Sequence, residues 1–444
     1  MKRIKLTFWA LLAMCSAVWL LADTLLPATL DFFSLRSVFI QFTGVLGIGA
    51  MSAAMWLAAR PKWLEPRLDG LDKMYRLHKW LGIAALVLAV THWLWAQGAK
   101  WMVGWGWLVR PARVPRVQGE GLGPVEQFLR SQRGLAESLG EWAFYAAVVL
   151  IALALIKRFP YRQFVKLHQW LAVVYLVLVF HSVVLMKFSY WTQPIGAVMA
   201  LLMAGGVVAA LLALSGRIGA GRRTRGTIES LTYYPELRVL ETAIKLQDGW
   251  RGHEAGQFAF VTSDRREGAH PYTIASAWTG DGRIVFITKA LGDHTSRLQQ
   301  RLKTGDEVNV EGPYGCFTFT DQHPRQIWVG GGIGITPFVA RLKALANTPG
   351  HQVIDLFHTT ADYEQAAIDK LEADARAANV RLHLLVNKRD GRLDAARIRT
   401  AVPEWQSASV WFCGPGAFGQ ALRRDFMADG LAPDDFHQEL FEMR

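Results

Sequence analysis

The chain has 444 residues and a formal net charge of +12, which allows roughly two or three domains. Its three cysteines are too scattered for a disulfide framework and too few for an iron–sulfur cluster. The second half has no basic stripe interleaved with aromatic residues, and many basic residues flank apolar runs. We therefore predict no nucleic-acid partner and attribute the charge to loops beside membrane spans.

Six apolar runs are long enough to cross the hydrocarbon core of a bilayer, which takes about 20 residues. They cover residues 6–26, 37–59, 77–97, 141–157, 165–187 and 193–215. The first run follows basic residues as in a signal peptide, but no small-residue cleavage site comes after it, so we expect a retained helix.

Basic residues concentrate at the N-terminus and in the linkers 60–67, 157–162 and 217–225. Positive loops favour the cytoplasmic side. We therefore predict a multi-pass protein of the cell membrane with both termini and the second half in the cytoplasm. The loop 97–140 then lies outside, although it also carries basic residues.

The first 217 residues contain only four histidines, two in the third run and two in the fifth: His78, His92, His168 and His181. Ionisable residues inside a bilayer are costly and usually functional, although one histidine can simply bridge two helices. The third and fifth runs cross in the same direction, so His78 lies level with His168, and His92 with His181. Each pair can supply both axial ligands of one haem iron.

The spacing within each helix supports this arrangement unequally. Fourteen positions separate His78 from His92, a rise of about 21 Å that ends about 40° short of four full turns. Thirteen positions separate His168 from His181, which leaves them about 140° apart on an ideal helix. Either a bulge in the helix or two metal centres at different azimuths must absorb that mismatch.

Charged and aromatic residues near these histidines have two interpretations each. Arg36 opens the second run on the outer side, where we favour a role at an outer-haem propionate or an electron acceptor over a snorkelling surface residue. Arg76, Lys79 and Lys166 flank the inner ligands, as propionate partners or as ordinary membrane anchors. Tyr175 lies at a depth that suits an aromatic residue between the two haems, and lipid-facing packing explains it equally well.

After a basic, glycine-containing linker, the chain changes to charged globular sequence. Alternating segments such as 258–261 and 283–288 predict a small antiparallel barrel that ends near 308–315. From about residue 326, short apolar strands alternate with helices, which predicts a parallel α/β sheet. The glycine-rich turn 330–337 joins its first strand to a helix, where the helix N-terminus favours an anion such as a pyrophosphate.

Residues 270–276, HPYTIAS, resemble the flavin-binding segment of the ferredoxin–NADP reductase superfamily in the form seen in ferric reductases and NADPH oxidases. Residues 292–295 and 312–315 resemble further flavin-side segments, and 331–337 and 412–415 resemble nicotinamide-nucleotide motifs. The two histidine pairs match the haem ligands of the ferric reductase and NADPH oxidase family. Short length and the lack of calcium-loop and N-glycosylation motifs are typical of a bacterial member.

The resemblance implies a multidomain membrane protein. A six-helix all-α transmembrane bundle, residues 1–216, is followed by an antiparallel β-barrel FAD domain, 217–322, and an α/β nucleotide-binding domain, 323–444. The implied cofactors are FAD, two b-type haems, and NADPH or NADH.

The resemblance also implies site residues. Tyr272 would lie against the isoalloxazine, Thr273 near its reactive nitrogen, and Cys413 beside the nicotinamide. Without the motifs, Tyr272 would be interpreted as a barrel-core aromatic and Cys413 as a buried residue at a strand end. His270 and Thr295 would lie near the FAD phosphates, and Phe441 would cover the flavin. The remaining cofactor-binding residues it implies are Pro271, Ser276, Gly292, Gly312, Tyr314, Gly331, Gly332, Gly334, Thr336, Pro337, Gly414 and Pro415.

The implied reaction moves electrons from cytoplasmic NAD(P)H through FAD and the two haems to an acceptor outside. Arg36, Thr273 and Cys413 are the residues that we assign to the reacting path. A ferric chelate and dioxygen are both suitable acceptors, and a periplasmic acceptor protein is a third. One alternative function stays open: the chain is a membrane transporter or scaffold. Its histidines would then only bridge helices, and its reductase-like domain would only sense nucleotide.

The choice of nucleotide depends on the ends of two strands. The second strand of the α/β domain ends at residues 357–360 without the acidic residue that an NAD site often uses for the ribose. Lys388 and Arg389 follow the next strand, where they would meet a 2′-phosphate or solvate a turn. We favour NADPH slightly.

Overall fold

A computed structural model describes residues 1–109, 123–156, 161–264 and 266–439. This part of the chain divides into two compact units. The membrane unit contains residues 1–68 and 73–218, and the reductase unit contains residues 69–72 and the chain from 219 onward. Phe441 and part of the linker 157–162 lie outside the described residues.

The membrane unit contains six helices that are long and apolar enough to cross a membrane, so the chain is a multi-pass membrane protein. The helices of this unit are α1 (Lys2–Ala22), α2 (Phe32–Ala58), α3 (Leu71–Gly104), α4 (Pro124–Ser131), α5 (Arg133–Leu155), α6 (Tyr161–Leu185) and α7 (Pro194–Leu214). The short amphipathic α4 precedes α5. The number of spans agrees with the sequence prediction.

Two spans begin six or more residues before their predicted apolar runs. The third run predicted 77–97, whereas α3 covers Leu71–Gly104, and the fourth predicted 141–157, whereas α5 begins at Arg133. Hydropathy marks only the segment that fits the hydrocarbon. Helical hydrogen bonding continues into the polar ends, because each turn supplies its own backbone partners.

Small residues let the helices of the membrane unit approach closely. α2 packs against α1, α6 and α7. On α7, a Cβ at Gly206 would overlap the hydroxyl of Tyr175. That hydroxyl contacts Ser52 Oγ at 2.9 Å and donates to the Met203 carbonyl at 3.2 Å. Tyr175 is fully buried between α2 and α7, so the lipid-facing interpretation of this residue is wrong.

The first sheet of the reductase unit is antiparallel, as predicted. Its strands are β1 (Arg223–Tyr234), β2 (Val239–Leu246), β3 (Phe258–Thr262), β4 (His270–Thr273), β5 (Arg283–Lys289) and β6 (Glu307–Tyr314), in the order β4-β3-β6-β1-β2-β5. An antiparallel bridge between Ile274 and Phe286 joins the end of β4 to β5 and so closes the sheet into a barrel. The short helix α8 (Leu298–Arg301) lies between β5 and β6.

The second sheet is parallel, also as predicted. Its strands are β7 (Arg325–Gly331), β8 (Val353–Thr360), β9 (Arg381–Val386), β10 (Ala408–Cys413) and β11 (Phe436–Gln438), in the order β11-β10-β7-β8-β9. The helices are α9 (Thr336–Asn347), α10 (Gln365–Ala377), α11 (Asn387–Asp390), α12 (Ala395–Ala401) and α13 (Gly416–Ala428). Helices cover such sheets on both faces, which explains why β7 and β10 are buried along almost their whole length.

Candidate functional site

The four membrane histidines come together as two pairs. The ring centroids of His78 and His168 lie 5.8 Å apart, and those of His92 and His181 lie 6.2 Å apart. An imidazole nitrogen binds a metal at about 2.0 Å, so two imidazoles on opposite sides of one metal have centroids roughly 6 Å apart. The ring spacing of both pairs is therefore compatible with one metal held between two imidazoles.

Backbone carbonyls orient three of the four rings. Nδ1 of His78 lies 2.9 Å from the Ala54 oxygen, and Nδ1 of His92 lies 3.0 Å from the Ile40 oxygen. Nδ1 of His181 lies 2.8 Å from the Ala136 oxygen. A carbonyl only accepts, so each Nδ1 carries the proton and each Nε2 is left as the metal-binding nitrogen.

His168 is held differently. Its Nδ1 is buried without a hydrogen-bond partner in the described part of the chain, and its ring lies against Phe164 at 5.1 Å. The described α6 is a continuous helix, so no bulge absorbs the thirteen-residue spacing. Instead, the two rings face different neighbours. The His181 ring contacts a carbonyl of α5, whereas the His168 ring stacks on Phe164 of its own helix.

A cavity of about 690 Å³ surrounds the His92–His181 pair. Cofactor pockets occupy about 300–1,000 Å³, so a large prosthetic group fits this volume. Five charged residues line the cavity: Arg36, Lys100, Arg133, Glu137 and Glu141. Sequence reasoning missed all except Arg36. Lys100, Arg133 and Glu137 lie in the predicted outer loop, where charge is ordinary, and Glu141 is the first residue of the fourth predicted run.

Arg36 lies at this cavity, as its interpretation required. Its Nε donates to the Trp95 carbonyl at 3.1 Å and its Nη2 to the Ala96 carbonyl at 3.0 Å. These two bonds fix the guanidinium to α3 at the level of His92. The side chain thus adds positive charge to a cavity that also contains carboxylates.

The predicted flavin segments meet at one edge of the barrel. β4 carries His270, Pro271 and Tyr272, and Thr273 at its end is buried. The ring of His294 stacks on His270 with centroids 3.6 Å apart and planes 9° apart. Residues 270–276 and 292–295 are therefore in contact, although no local pattern links them.

Hydroxyl groups fix the two turns of this region. The Thr295 hydroxyl oxygen accepts the N–H of Leu291 at 3.0 Å and of Gly292 at 3.2 Å. The Ser276 hydroxyl oxygen accepts the N–H of Val285 on β5 at 3.1 Å. Both hydroxyls hold backbone in place, which keeps the edge of the barrel preformed.

Three side chains here also carry metal-ligating atoms. The ligand atoms of Glu267, His270 and His294 lie within 4.8 Å of one another. However, an imidazole lone pair lies in the ring plane, and the two planes are nearly parallel, so the nitrogens do not converge on one ion. Burial, with a smaller contribution from the neighbouring ring, lowers the pKa of His270 to about 4. We therefore interpret this group as a neutral stacked pair.

The segment 312–315 contributes through close packing. A Cβ at Gly312 would lie 3.1 Å from the Cβ of Ala259 on β3. The Tyr314 ring is buried, and its hydroxyl donates to the Glu311 carboxylate at 2.9 Å. The Arg222 guanidinium lies 4.4 Å from the same ring. The Tyr314 ring is thus buried against Phe258 and Phe260 of β3, and sequence reasoning missed its two charged neighbours.

The two nucleotide motifs meet at the carboxyl ends of β7 and β10. A Cβ at Gly334 would overlap the Cys413 carbonyl, and a Cβ at Gly331 would lie 2.9 Å from Pro415. Glycine is required because the two loops touch backbone to backbone. Ligands of open α/β sheets bind at this edge.

Local geometry shapes the two loops themselves. Gly332 and Gly414 have positive φ angles of 57° and 159°. The Thr336 hydroxyl donates to the Ile333 carbonyl at 2.8 Å, and Pro337 occupies the first turn of α9. These features leave the first N–H groups of α9 at the loop, where an anion is stabilised.

Cys413 is fully buried at the end of β10, opposite Gly330 of β7. Burial raises the pKa of its thiol well above the ordinary value. The group therefore stays a neutral thiol and does not act as a thiolate nucleophile.

Comparison with known proteins gives two family matches. Residues 43–179 match the family described as ferric reductase like transmembrane component, and residues 227–318 match an FAD-binding domain. The first match contains His78, His92 and His168 and ends two residues before His181, and the second contains residues 270–276 and 292–295.

Curated relatives match part of the chain. The electron transfer component of toluate 1,2-dioxygenase from Pseudomonas putida is 27% identical over 195 residues, which cover 42% of this chain and 58% of the relative. The NADPH oxidoreductase from Mycobacterium tuberculosis is 31% identical over 216 residues, covering 44% of this chain and 55% of the relative. The chain thus spans little more than half the length of these relatives.

Among solved structures, the Amycolatopsis cytochrome P450 reductase GcoB matches at 22% identity and a TM-score of 0.44, covering 50% of this chain and 70% of that one. The family matches follow the order of the two units along the sequence. The chain therefore joins a ferric reductase-like transmembrane domain to an FAD-binding domain of reductase type.

Proposed function

We propose that the protein is an NAD(P)H-dependent oxidoreductase that moves electrons through FAD and two b-type haems to an acceptor on the far side of the membrane. The observation that carries the proposal is the spacing of the two histidine pairs, 5.8 and 6.2 Å between ring centroids. The nicotinamide, flavin and haem groups supply hydride and one-electron chemistry, and the chain binds and orients them.

In the membrane unit, the Nε2 atoms of His78 and His168 would hold the inner haem, and those of His92 and His181 would hold the outer haem. A haem held by two imidazoles would supply one-electron transfer and would leave the iron no open position for an acceptor. Arg36 supplies charge for a propionate or an anionic acceptor at the outer cavity, a role that its two bonds to α3 support.

In the reductase unit, β4 and the turn 292–295 hold the flavin. Tyr272 would contact its ring, Thr273 its reactive nitrogen, and His270 and Thr295 its phosphates. The N-terminus of α9 and the loop 413–415 receive the nucleotide. Cys413, as a neutral thiol, bounds the nicotinamide position and exchanges no proton.

NADPH is the proposed nucleotide. The Mycobacterium relative is named for it, and β8 ends in Thr359 and Thr360 without a carboxylate. Asp390 holds the Arg389 guanidinium through two hydrogen bonds of 3.0 and 3.1 Å. Lys388 is therefore the better candidate for a 2′-phosphate.

We place both termini and the reductase unit in the cytoplasm of a bacterial cell, because basic residues cluster at the start of α1 and after α7. A reporter fused after Leu214 that is active only inside the cell tests this topology. Activity of a periplasmic reporter at that position would reverse it.

The decisive test is the haem content of the purified full-length protein. We expect a reduced-minus-oxidised spectrum of low-spin b-type haem, with both sites filled after reconstitution. Absence of this signal after haem is supplied would refute the proposal and favour a scaffold in which the histidines only bridge helices.

The acceptor is tested in membrane vesicles that present the outer cavity to the medium. NADPH or NADH is enclosed, and reduction of an impermeant ferric chelate is compared with superoxide release. Chelate reduction identifies a ferric reductase, and superoxide identifies an oxidase. Transfer only after addition of a periplasmic extract would indicate a protein acceptor.

A further inference from the structure

One face of α5 is shaped around the His181 ring. The Ala136 carbonyl accepts Nδ1–H of His181 at 2.8 Å. One turn later, Gly140 is buried, and a Cβ at this glycine would overlap Nδ1 of the same ring. The imidazole therefore occupies the space that any other residue at position 140 would fill.

α2 repeats this arrangement at His92 in a looser form. The Ile40 carbonyl lies 3.0 Å from Nδ1, and the residue one turn later is again a glycine, Gly44. A Cβ there would lie 3.3 Å from Cε1 and 3.4 Å from Nδ1 of His92. These contacts are tight, yet a small shift of the ring relieves them.

The His78–His168 pair lacks this combination of an acceptor carbonyl and a glycine one turn later. The acceptor for His78 is Ala54, and the residue one turn later is Ala58 rather than glycine. His168 has no carbonyl acceptor in the described part of the chain. An acceptor carbonyl followed by glycine one turn later thus accompanies both ligands of one pair and neither ligand of the other.

Glycine also lets helices pack closely in general, so Gly140 has to be compared with another glycine of the membrane helices. Gly82 lies on α3 between His78 and His92, and a Cβ there meets nothing within 4 Å. Gly140 differs because the group that fills its place is a ring that we assign to a metal. If Gly140 served helix packing alone, the group in the place of its side chain would not need to be an imidazole.

We propose that Gly140 is a positioning residue for His181. Its missing side chain admits the imidazole to the Ala136 carbonyl, which fixes the proton on Nδ1 and aims Nε2 at the metal. The inference rests on the proposed haem ligation and deepens it, since it names the groups that orient one ligand.

The test compares Gly140→Ala, Gly44→Ala and Gly82→Ala in the full-length protein reconstituted with haem. For Gly140→Ala we expect roughly half the wild-type low-spin haem, because one site loses an oriented ligand. For Gly44→Ala we expect full haem with shifted electron paramagnetic resonance g-values, and for Gly82→Ala no change. The signal of the His78–His168 haem reports that the bundle is folded.

A double variant separates a ring clash from general misfolding. In a His181→Ala background, the clash is gone, so adding Gly140→Ala should change neither expression nor the remaining haem. Gly140→Ala with unaltered low-spin signals overturns the inference, as does an equal loss in the presence and absence of His181. A wild-type protein without haem overturns the proposed function itself, so the two failures are distinguishable.

Discussion

Three histidine pairs occur in this molecule, and the membrane pairs differ from the pair in the reductase unit. In the membrane unit, the rings stand 5.8 and 6.2 Å apart at steep angles of 64° and 76°. In the reductase unit, His270 and His294 lie 3.6 Å apart and nearly parallel. A gap near 6 Å admits a metal between two nitrogens, whereas a stacked pair leaves no room. The same residue type is therefore spaced for ligation in one unit and for packing in the other.

The two membrane pairs also differ from each other. Both His92 and His181 donate to helix carbonyls, but only His78 does so in the other pair. A hydrogen bond on Nδ1 fixes the ring and makes Nε2 a stronger ligand. We therefore expect the haem at the His92–His181 pair to be held more firmly.

The largest expected effect comes from removing a ligand of this pair. His92→Ala should abolish the outer haem and with it electron transfer across the membrane, because one imidazole cannot complete six-coordination. NAD(P)H reduction of the flavin should persist, measured with a soluble dye as acceptor. The exposed His351 gives the matched control, His351→Ala, which should behave as wild type. Transmembrane transfer that survives in His92→Ala would contradict the assignment.

The unequal anchoring should appear in haem retention. The haem kept by His92→Ala is held at the His78–His168 pair, and the haem kept by His78→Ala is held at the better-anchored pair. Hydrogen-bond partners of ligating histidines contribute about 10–100-fold to metal affinity. Haem should therefore leave His92→Ala about 10-fold faster than it leaves His78→Ala. Transfer to apomyoglobin, followed optically, gives both rates. Equal rates, or the reverse order, would show that the carbonyl bonds do not control retention.

The stacked pair predicts a smaller effect in the reductase unit. His294→Ala removes the ring that lies on His270, and an aromatic pair contributes about 0.5–1.5 kcal/mol. FAD should therefore dissociate roughly 2- to 10-fold more readily, measured by flavin fluorescence. His294→Phe keeps a ring at this position and should restore retention. If the Phe variant loses as much FAD as the Ala variant, the imidazole acts through its nitrogens and the packing interpretation is wrong.

The smallest effect is a dependence on pH. Burial lowers the pKa of His270 and of His358 to about 4, below the ordinary value of 6.5. Between pH about 6.5 and 4, these histidines therefore bind protons in the unfolded chain but not in the folded chain. The free energy of unfolding falls as the pH decreases through this range. The midpoint temperature of flavin release should be lower at pH 5 than at pH 7. His270→Asn should flatten this dependence, and an unchanged slope would assign it to other groups.

Much of the membrane unit was predictable from sequence. Span number follows from the length of apolar runs, and the histidine levels follow from rise per residue and the direction of each span. The fourteen-residue spacing of His78 and His92 also predicted one common face, and both rings indeed donate to α2. The thirteen-residue spacing predicted a mismatch but not its outcome, because the choice between a bulge and two azimuths depends on neighbouring helices.

The flavin and nucleotide segments were recognisable from short motifs, but their contacts were not. Nothing local predicts that His294 lies on His270, or that the Arg222 guanidinium lies over the buried Tyr314 ring. These contacts join residues from different strands and turns, so they exist only once the sheet has closed. Motif position alone therefore identified Tyr314 without its buried environment.

The sequence by itself determined the spans, the paired histidines, the barrel and the parallel sheet, because each depends on periodicity or spacing along one segment. Tertiary structure decided which carbonyls hold three of the rings and that a side chain at position 140 would overlap His181. It also decided that, within the described residues, His168 Nδ1 has no such carbonyl. Those features depend on the distance between backbones of different helices. That distance is set by packing of the whole bundle and is not encoded in any one segment.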